Sequence, residues 1–353
     1  VRGRLAPVAL LALFATGGSA YAQTAAADRS PTWLQRRLET GLSEALGGSV
    51  RIGSVDVDWT GLSAKIADVA ISIPADGAPP MTVTLAEGRV KLAWSGLPGL
   101  AGGDIHLTEV VVREPTFSLS RAWIDAWKPK TKKKGGAVAI QVDRLVIEGA
   151  NAEYLDEHQH VRIATHAMDF RGDWSSSRRL LVGEVRAQAT VEAPLFDRPW
   201  PATVRGGLRL GGGRLEIFGA TGEAPGATAE LSGNVTWSAG ASFTAQGRVD
   251  ADLAAMSPFL VGDLPLSGHA RGPVQIVYTN GVPIRVTVQA ATTALRIGPI
   301  VTESARGDVT IRPGRLDLAG LDARGYGGAF TGTVGLGFGK PLHLETNLVG
   351  KGA

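Results

Sequence analysis

The chain of 353 residues has no cysteine, which excludes disulfides, thiolate metal sites and thiol nucleophiles and leaves stability to strand pairing and burial. Aromatic residues make up only 6% of it. Local catalytic signatures are missing too: there is no G-x-S-x-G elbow, no H-E-x-x-H pair and no dinucleotide fingerprint. The glycine-rich stretch from Gly206 to Gly213 lacks the Gly-Lys-Ser/Thr ending of a phosphate loop. These absences point to a protein that is not an enzyme and takes no cofactor. The formal charge is +3, and much of the basic excess lies in Arg2, Arg4 and the run from Lys128 to Lys134. That is too local for a nucleic-acid-binding face, so nucleic acid is not expected as a partner.

The N-terminus has the three parts of a secretory signal: a basic start at Arg2 and Arg4, an apolar run from Leu5 to Phe14, and a small-residue site at Ala20-Tyr21-Ala22. The apolar run is short of the ~20 residues that span a bilayer. Residues 1–29 therefore read as a signal peptide or N-terminal membrane anchor with a short linker. The expected location is the periplasm, with attachment to the inner membrane if the segment is kept. Residues 32–46 read as one amphipathic helix, capped by Ser30, opened by Pro31 and stopped by Gly47-Gly48. Leu34, Leu38, Leu42 and Leu46 form its apolar stripe, with Arg36, Arg37, Glu39 and Glu44 facing away.

From Val50 the hydrophobic period becomes two. Val55-Val57-Trp59, Leu62-Ala64-Ile66, Val69-Ile71-Ile73, Val90-Leu92-Trp94, Val138-Ile140-Val142 and Val185-Ala187-Ala189-Val191 each alternate with other residues, as do Ile284-Val286-Val288-Ala290. One apolar and one wet face per strand predicts antiparallel sheet. Asp76-Gly77, Gly211-Gly212-Gly213, Asn280-Gly281 and Pro313-Gly314 supply turn chemistry, and the 47 glycines imply many turns. Short helices are expected at Arg121 to Trp127 and Leu253 to Leu260. The alternation changes phase at Gly53-Ser54 and Ala67-Asp68, and no aromatic girdle recurs, which argues against an outer-membrane barrel.

The basic stretch 128–136 is the expected internal boundary. It reads as a flexible loop between a first meander with its helix, 30–127, and a continuing sheet, 137–353. A polar cluster, Asp156-Glu157-His158-Gln159-His160 with His166 and Asp169, could hold a metal, but its flanking alternations make it a hairpin tip, so no metal is expected. The eight tryptophans are expected to pack at sheet margins and turns rather than to form a carbohydrate platform.

Four segments carry a family resemblance. Leu46 to Val55, following the helix, resembles the opening strand of AsmA/TamB-type envelope proteins. Leu107 to Arg121, with Pro115 at its centre, is similar to a second segment of that family. Asp252 to Leu260 running on to Pro265-Leu266-Ser267-Gly268, and Leu316 to Gly332 with Tyr326-Gly327-Gly328, resemble two more. The apolar N-terminal segment is shorter than the family's usual anchor, and the long C-terminal portion of its largest members does not follow, which suggests a truncated or partial chain. The resemblance implies a mainly β fold, an elongated, twisted antiparallel β-sheet forming an open apolar groove, with one N-terminal amphipathic helix. It further implies a non-enzymatic role in outer-membrane homeostasis, with membrane lipids and assembly proteins of the inner or outer membrane as partners. The groove is expected to be lined by Val286, Val288, Ala290, Leu316 and Leu318. The alternative is an outer-membrane protein assembly factor or scaffold that binds β proteins through open sheet edges.

Overall fold

The computed structural model describes residues 35–36, 39–40, 43, 47–93, 104–126, 139–175, 180–211, 214–236, 242–260, 266–279, 282–297, 300–312, 314–338 and 343–352. The export segment, the basic run at 128–136 and the turns at Gly212-Gly213 and Asn280-Gly281 lie outside them. The chain is mainly β and folds as two compact units. The first comprises residues 1–154, 165–187 and 208–213, and the second 155–164, 188–207 and 214–353.

In the first unit, strands β1 (Ser49–Asp58), β2 (Ser63–Ala75) and β3 (Ala78–Leu92) form an antiparallel meander. The turn at Asp76-Gly77 joins Ala75 to its partner Ala78, and Gly77 takes a φ of 73° that favours glycine. Strand β4 (Asp104–Arg113) continues past Glu114 and Pro115 into β5 (Thr116–Ser120), both antiparallel to β3. Helix α1 (Arg121–Ala126) follows, as expected; its Trp123 is buried and donates from Nε1 to the Ile73 carbonyl at 2.8 Å.

The next strands depart from a purely antiparallel sheet, because β6 (Ala139–Val142) and β7 (Arg144–Asp156) run parallel to β4. Parallel neighbours need a crossover of about a dozen residues or more, and residues 121–138 supply it. An alternating pattern reads the same in either orientation, which is why periodicity alone did not reveal it. Ile66, Val69, Leu107, Val110 and Val112 fill this unit's core with almost no exposure.

The two phase changes seen in the sequence lie opposite each other. Ile52 pairs with Val69 and Ser54 with Ala67, leaving Gly53 across from Asp68, whose φ is 53°. Matched shifts on both strands bring Ile52, Val55, Ile66 and Val69 to the same buried side.

Of the N-terminal helix, residues 35, 36, 39, 40 and 43 are described and are helical; the leucines of its apolar stripe lie outside the described residues. Glu39 does not face away. Its Oε1 accepts from the Ile52 amide at 2.7 Å, the Ser43 Oγ accepts from the Val50 amide at 3.0 Å, and Gln35 Nε2 donates to the Ile52 carbonyl. The i, i+4 spacing that stacks the leucines also stacks these three polar residues one position along, against the backbone of β1 on the side away from β2.

Strands β8 (Val161–Ser175), β9 (Leu180–Glu192) and β10 (Trp200–Gly211) follow. In the second unit, β11 (Arg214–Ala224), β12 (Ala227–Thr236) and β13 (Ser242–Asp252) pair antiparallel in sequence order. Asp252 then caps helix α2 (Leu253–Met256), its carboxylate accepting from the Ala254 and Ala255 amides, and a 3-10 turn at Ser257–Phe259 follows. The remaining strands are β14 (Leu266–Thr279), β15 (Val282–Ile297), the short β16 (Ile300–Val301), β17 (Ser304–Arg312), β18 (Arg315–Gly325), β19 (Gly328–Gly337) and β20 (His343–Gly352). They continue the antiparallel meander.

Candidate functional site: an apolar sheet face in the second unit

The register of β11 to β20 aligns apolar side chains into rows that cross the strands. One row runs through Ala245, Ile276, Val286, Ile311, Leu316, Leu336 and Leu344. The next runs through Leu231, Gly247, Val274, Val288, Val309, Leu318 and Val334. Directly opposed residues share a face, so Val286, Val288, Leu316 and Leu318 come together on one side of the sheet. Ala290 lies on that face opposite Gly307. Val274, Ile276, Val309, Ile311, Val334 and Leu336 belong to it as well; short alternations such as Val309-Thr310-Ile311 signalled them in the sequence.

Three irregularities keep the face on one side. Between β11 and β12, Ile217 opposes Gly233 and Ala220 opposes Leu231, so Phe218 and Gly219 together face Ser232. Between β18 and β19, Ala319 and Gly320 together face Thr333. In β15, Ala294 breaks the alternation, so that Leu295 and Ile297 rejoin the face that Val286 and Val288 occupy. Gly219, Gly320 and Ala294 have φ of 56°, 60° and 50°. An extra residue in one strand bends it locally and resets which side its neighbours point to.

Coverage of the face is uneven. At the α2 end, Leu295, Ala305 and Ala323 are buried, with Leu253, Leu266, Ile297 and Leu321 packed against them. Farther along, Val286, Val288, Leu316 and Leu318 are only half-buried. The opposite face is polar, with Gln246, Gln275, Thr287, Thr310 and Asp317 in a row. Ion pairs run along it: Arg306 to Asp322 at 2.6 Å, Arg315 to Asp317 at 2.6 Å and Arg315 to Glu345 at 2.7 Å. The hydrogen bond and charge of Arg315 hold the Glu345 carboxyl below its ordinary range.

The polar cluster after β7 is a turn. Asp156 is buried and its Oδ1 accepts from the Gln159 amide at 3.1 Å, closing residues 157–160, with His160 at a φ of 53°. Asp169 instead accepts from the Gly149 amide at 2.9 Å. No group of three or more His, Cys, Asp or Glu side chains suited to a metal occurs among the described residues. Among the tryptophans, Trp200 stacks on Phe196 with centroids 5.0 Å apart, while Trp59 is 65% exposed in the β1–β2 turn.

The chemistry this face offers is that of methyl and methylene groups in contact, which acts through the apolar area removed from water and needs no directional bond. Among the described residues no helix is long and apolar enough to cross a membrane. Comparison with models of known families, with curated proteins and with solved structures finds no match.

Proposed function

We propose that this chain is a non-enzymatic, AsmA/TamB-like protein of the bacterial envelope that binds phospholipid acyl chains along the apolar face of its second unit and passes them across the periplasm. The observation that carries this reading is the continuous apolar row from Ala245 to Leu344, half-covered at Val286 and Leu316 and backed by a polar face. Open apolar surface of this extent fits a ligand that is itself apolar. Each methylene laid on it gains about 0.8 kcal/mol, so affinity can be high without a specific polar contact. The face then serves as a groove, with the secretory start and the four family-like segments supporting an envelope location. Native mass spectrometry of the chain purified from its own envelope tests this: copurified phospholipid in a stoichiometric ratio is expected, and a chain that emerges free of lipid in mild detergent refutes it.

A second reading is that of an assembly factor or scaffold for outer-membrane β proteins. It is favoured by β20, which is exposed along its whole length. Capture of a β-rich envelope protein that is lost when β20 is altered would favour it over the lipid reading.

A further inference from the structure

The buried end of the apolar face is covered by one short segment. Between β13 and β14 the chain forms α2 and the 3-10 turn at Ser257–Phe259, and none of residues 253–259 is buried. Leu253 is the residue of this segment that packs against Leu295, Ala305 and Ala323, which are themselves buried. One end of the segment is seated on the β11–β12 turn: the Asp252 amide donates to the Gly226 carbonyl at 2.8 Å, and a Cβ on Gly226 would come within 2.6 Å of the Met256 nitrogen. The other end is clasped by the connection between β9 and β10. There the Asp197 amide donates to the Phe259 carbonyl at 2.9 Å, Phe196 pairs with Leu260 in an isolated antiparallel bridge, and the Arg198 guanidinium lies 4.3 Å from the centroid of the Phe259 ring. Asp197 and Arg198 are exposed.

We infer that residues 253–260 are a displaceable cover over the acyl-chain site: Leu253 fills part of the site when the cover is down, and the site extends to Leu295, Ala305 and Ala323 when it lifts. The inference rests on the lipid reading above and deepens it. A helix of one turn has too few internal bonds to stand by itself, so the position of α2 depends on the contacts just named. Segments with few buried apolar contacts open locally at a small fraction of the free energy of global unfolding, and lids are drawn from them. Lifting this one exposes the same kind of methyl and methylene surface that Val286 and Val288 already present, and an acyl chain laid there restores the contact that Leu253 withdraws. A ligand that binds the lifted state more tightly shifts the equilibrium toward it.

The chain has no native cysteine, so the cover can be locked reversibly. The bond from the Asp197 amide to the Phe259 carbonyl makes Phe196 and Leu260 a non-hydrogen-bonded pair, whose Cα atoms stand about 4.5 Å apart, within disulfide range. The full chain carrying Phe196→Cys and Leu260→Cys is compared oxidised and reduced, so that both states share one sequence and any folding defect of the substitutions. With phosphatidylglycerol vesicles carrying a photoreactive acyl chain, the reduced form should be labelled at Val286 and Val288 and also at Leu295, Ala305 and Ala323; the oxidised form should keep the first pair and lose the other three. Amide hydrogen exchange in residues 253–259 should slow about tenfold or more on oxidation, since exchange follows the open population. Arg198→Ala in the otherwise unaltered chain removes an exposed cation–π contact and should raise labelling at Leu295 about two- to fivefold. Equal labelling of Leu295, Ala305 and Ala323 in both states, no labelling there in either state while Val288 is labelled, or exchange unchanged by oxidation would each overturn the cover. Absence of label at every one of these residues would overturn the lipid reading, and the cover as a lipid gate with it.

Discussion

Changing Val288 to glutamate places a carboxylate in the middle of the apolar face, between Val274 on β14 and Val309 on β17. Two apolar cross-strand pairs are lost, each worth about 0.2–1 kcal/mol. Part of a valine's burial goes with them, about 1 kcal/mol, since Val288 is only half-buried. The new carboxylate keeps water on its open side, so the full penalty of a dry charge does not apply. Stability should fall by about 1–3 kcal/mol, seen as a lower urea midpoint with an unchanged slope. The effect on lipid is larger. An acyl chain passing Val288 must either strip the carboxylate or lift away from it, and losing contact over about four methylenes costs roughly 3 kcal/mol, a hundredfold or more in affinity. The neighbouring change, Thr287→Glu, lies opposite Gln275 and Thr310 on the polar face. It should shift stability by no more than about 0.5 kcal/mol and leave lipid binding intact. The assay pairs urea denaturation with photocrosslinking to a labelled phospholipid and with rescue of outer-membrane integrity in a deletion strain. If both variants fold and load lipid equally, the face is not the conduit.

Three further outcomes are expected. Glu39→Ala leaves the amide of the buried Ile52 without its acceptor and should cost about 1–2 kcal/mol; Glu39→Gln, which still offers an oxygen, should restore most of it, and faster amide exchange at Ile52 in the alanine variant alone is the direct readout. Arg315 lowers the Glu345 carboxyl from its ordinary value of 4.5, first through its hydrogen bond and then through its charge. A carboxyl lowered on folding adds stability that is full above that value and is lost as pH falls through the folded pKa, so Arg315→Gln should move the Glu345 titration up toward 4.5 in NMR and remove that acid-side dependence. Ala294 has a φ of 50°, a conformation that costs a residue with a Cβ about 1–2 kcal/mol. Ala294→Gly should therefore stabilise the chain by up to about 1 kcal/mol after glycine's larger entropy loss, and a midpoint that drops would show that the bulge is not strained.

Much of the fold was legible because a strand with one wet face writes its period into the sequence. Val69-Ile71-Ile73 are buried together as the alternation required, and the short helical pieces at Arg121 and Leu253 appear where expected. Alternation alone put Val286 and Val288 on one side of their strand and Leu316 and Leu318 on one side of theirs; that the two sides are one face follows from the register through Ile311 and Val309. What a single strand cannot encode is its partner. The parallel pairing of Val110 with Leu145 and of Val112 with Ile147 depends on a crossover whose direction leaves no periodic trace. Glu39 was misread for a related reason: a charged residue beside a leucine stripe normally faces solvent, but here an open strand edge offered it the Ile52 amide.

The bulges bear most directly on the proposed function. At Gly219 and Gly320 the chain takes a left-handed residue with nothing within 4 Å of where a Cβ would stand, so glycine is there for backbone conformation and not for want of space. Without the extra residue at Gly320, Leu321 and Ala323 would turn to the charged side, and Asp322, which pairs with Arg306, would turn into the apolar rows. The bulge at Gly219 keeps Ile217 and Ala220 on the same side in the same way. Each bulge interrupts the ladder and so weakens the sheet locally. A sheet selected only for pairing has no use for such interruptions. They make sense where the apolar side must continue from strand to strand, the continuity that the proposed acyl-chain ligand would need across β14, β15, β17 and β18.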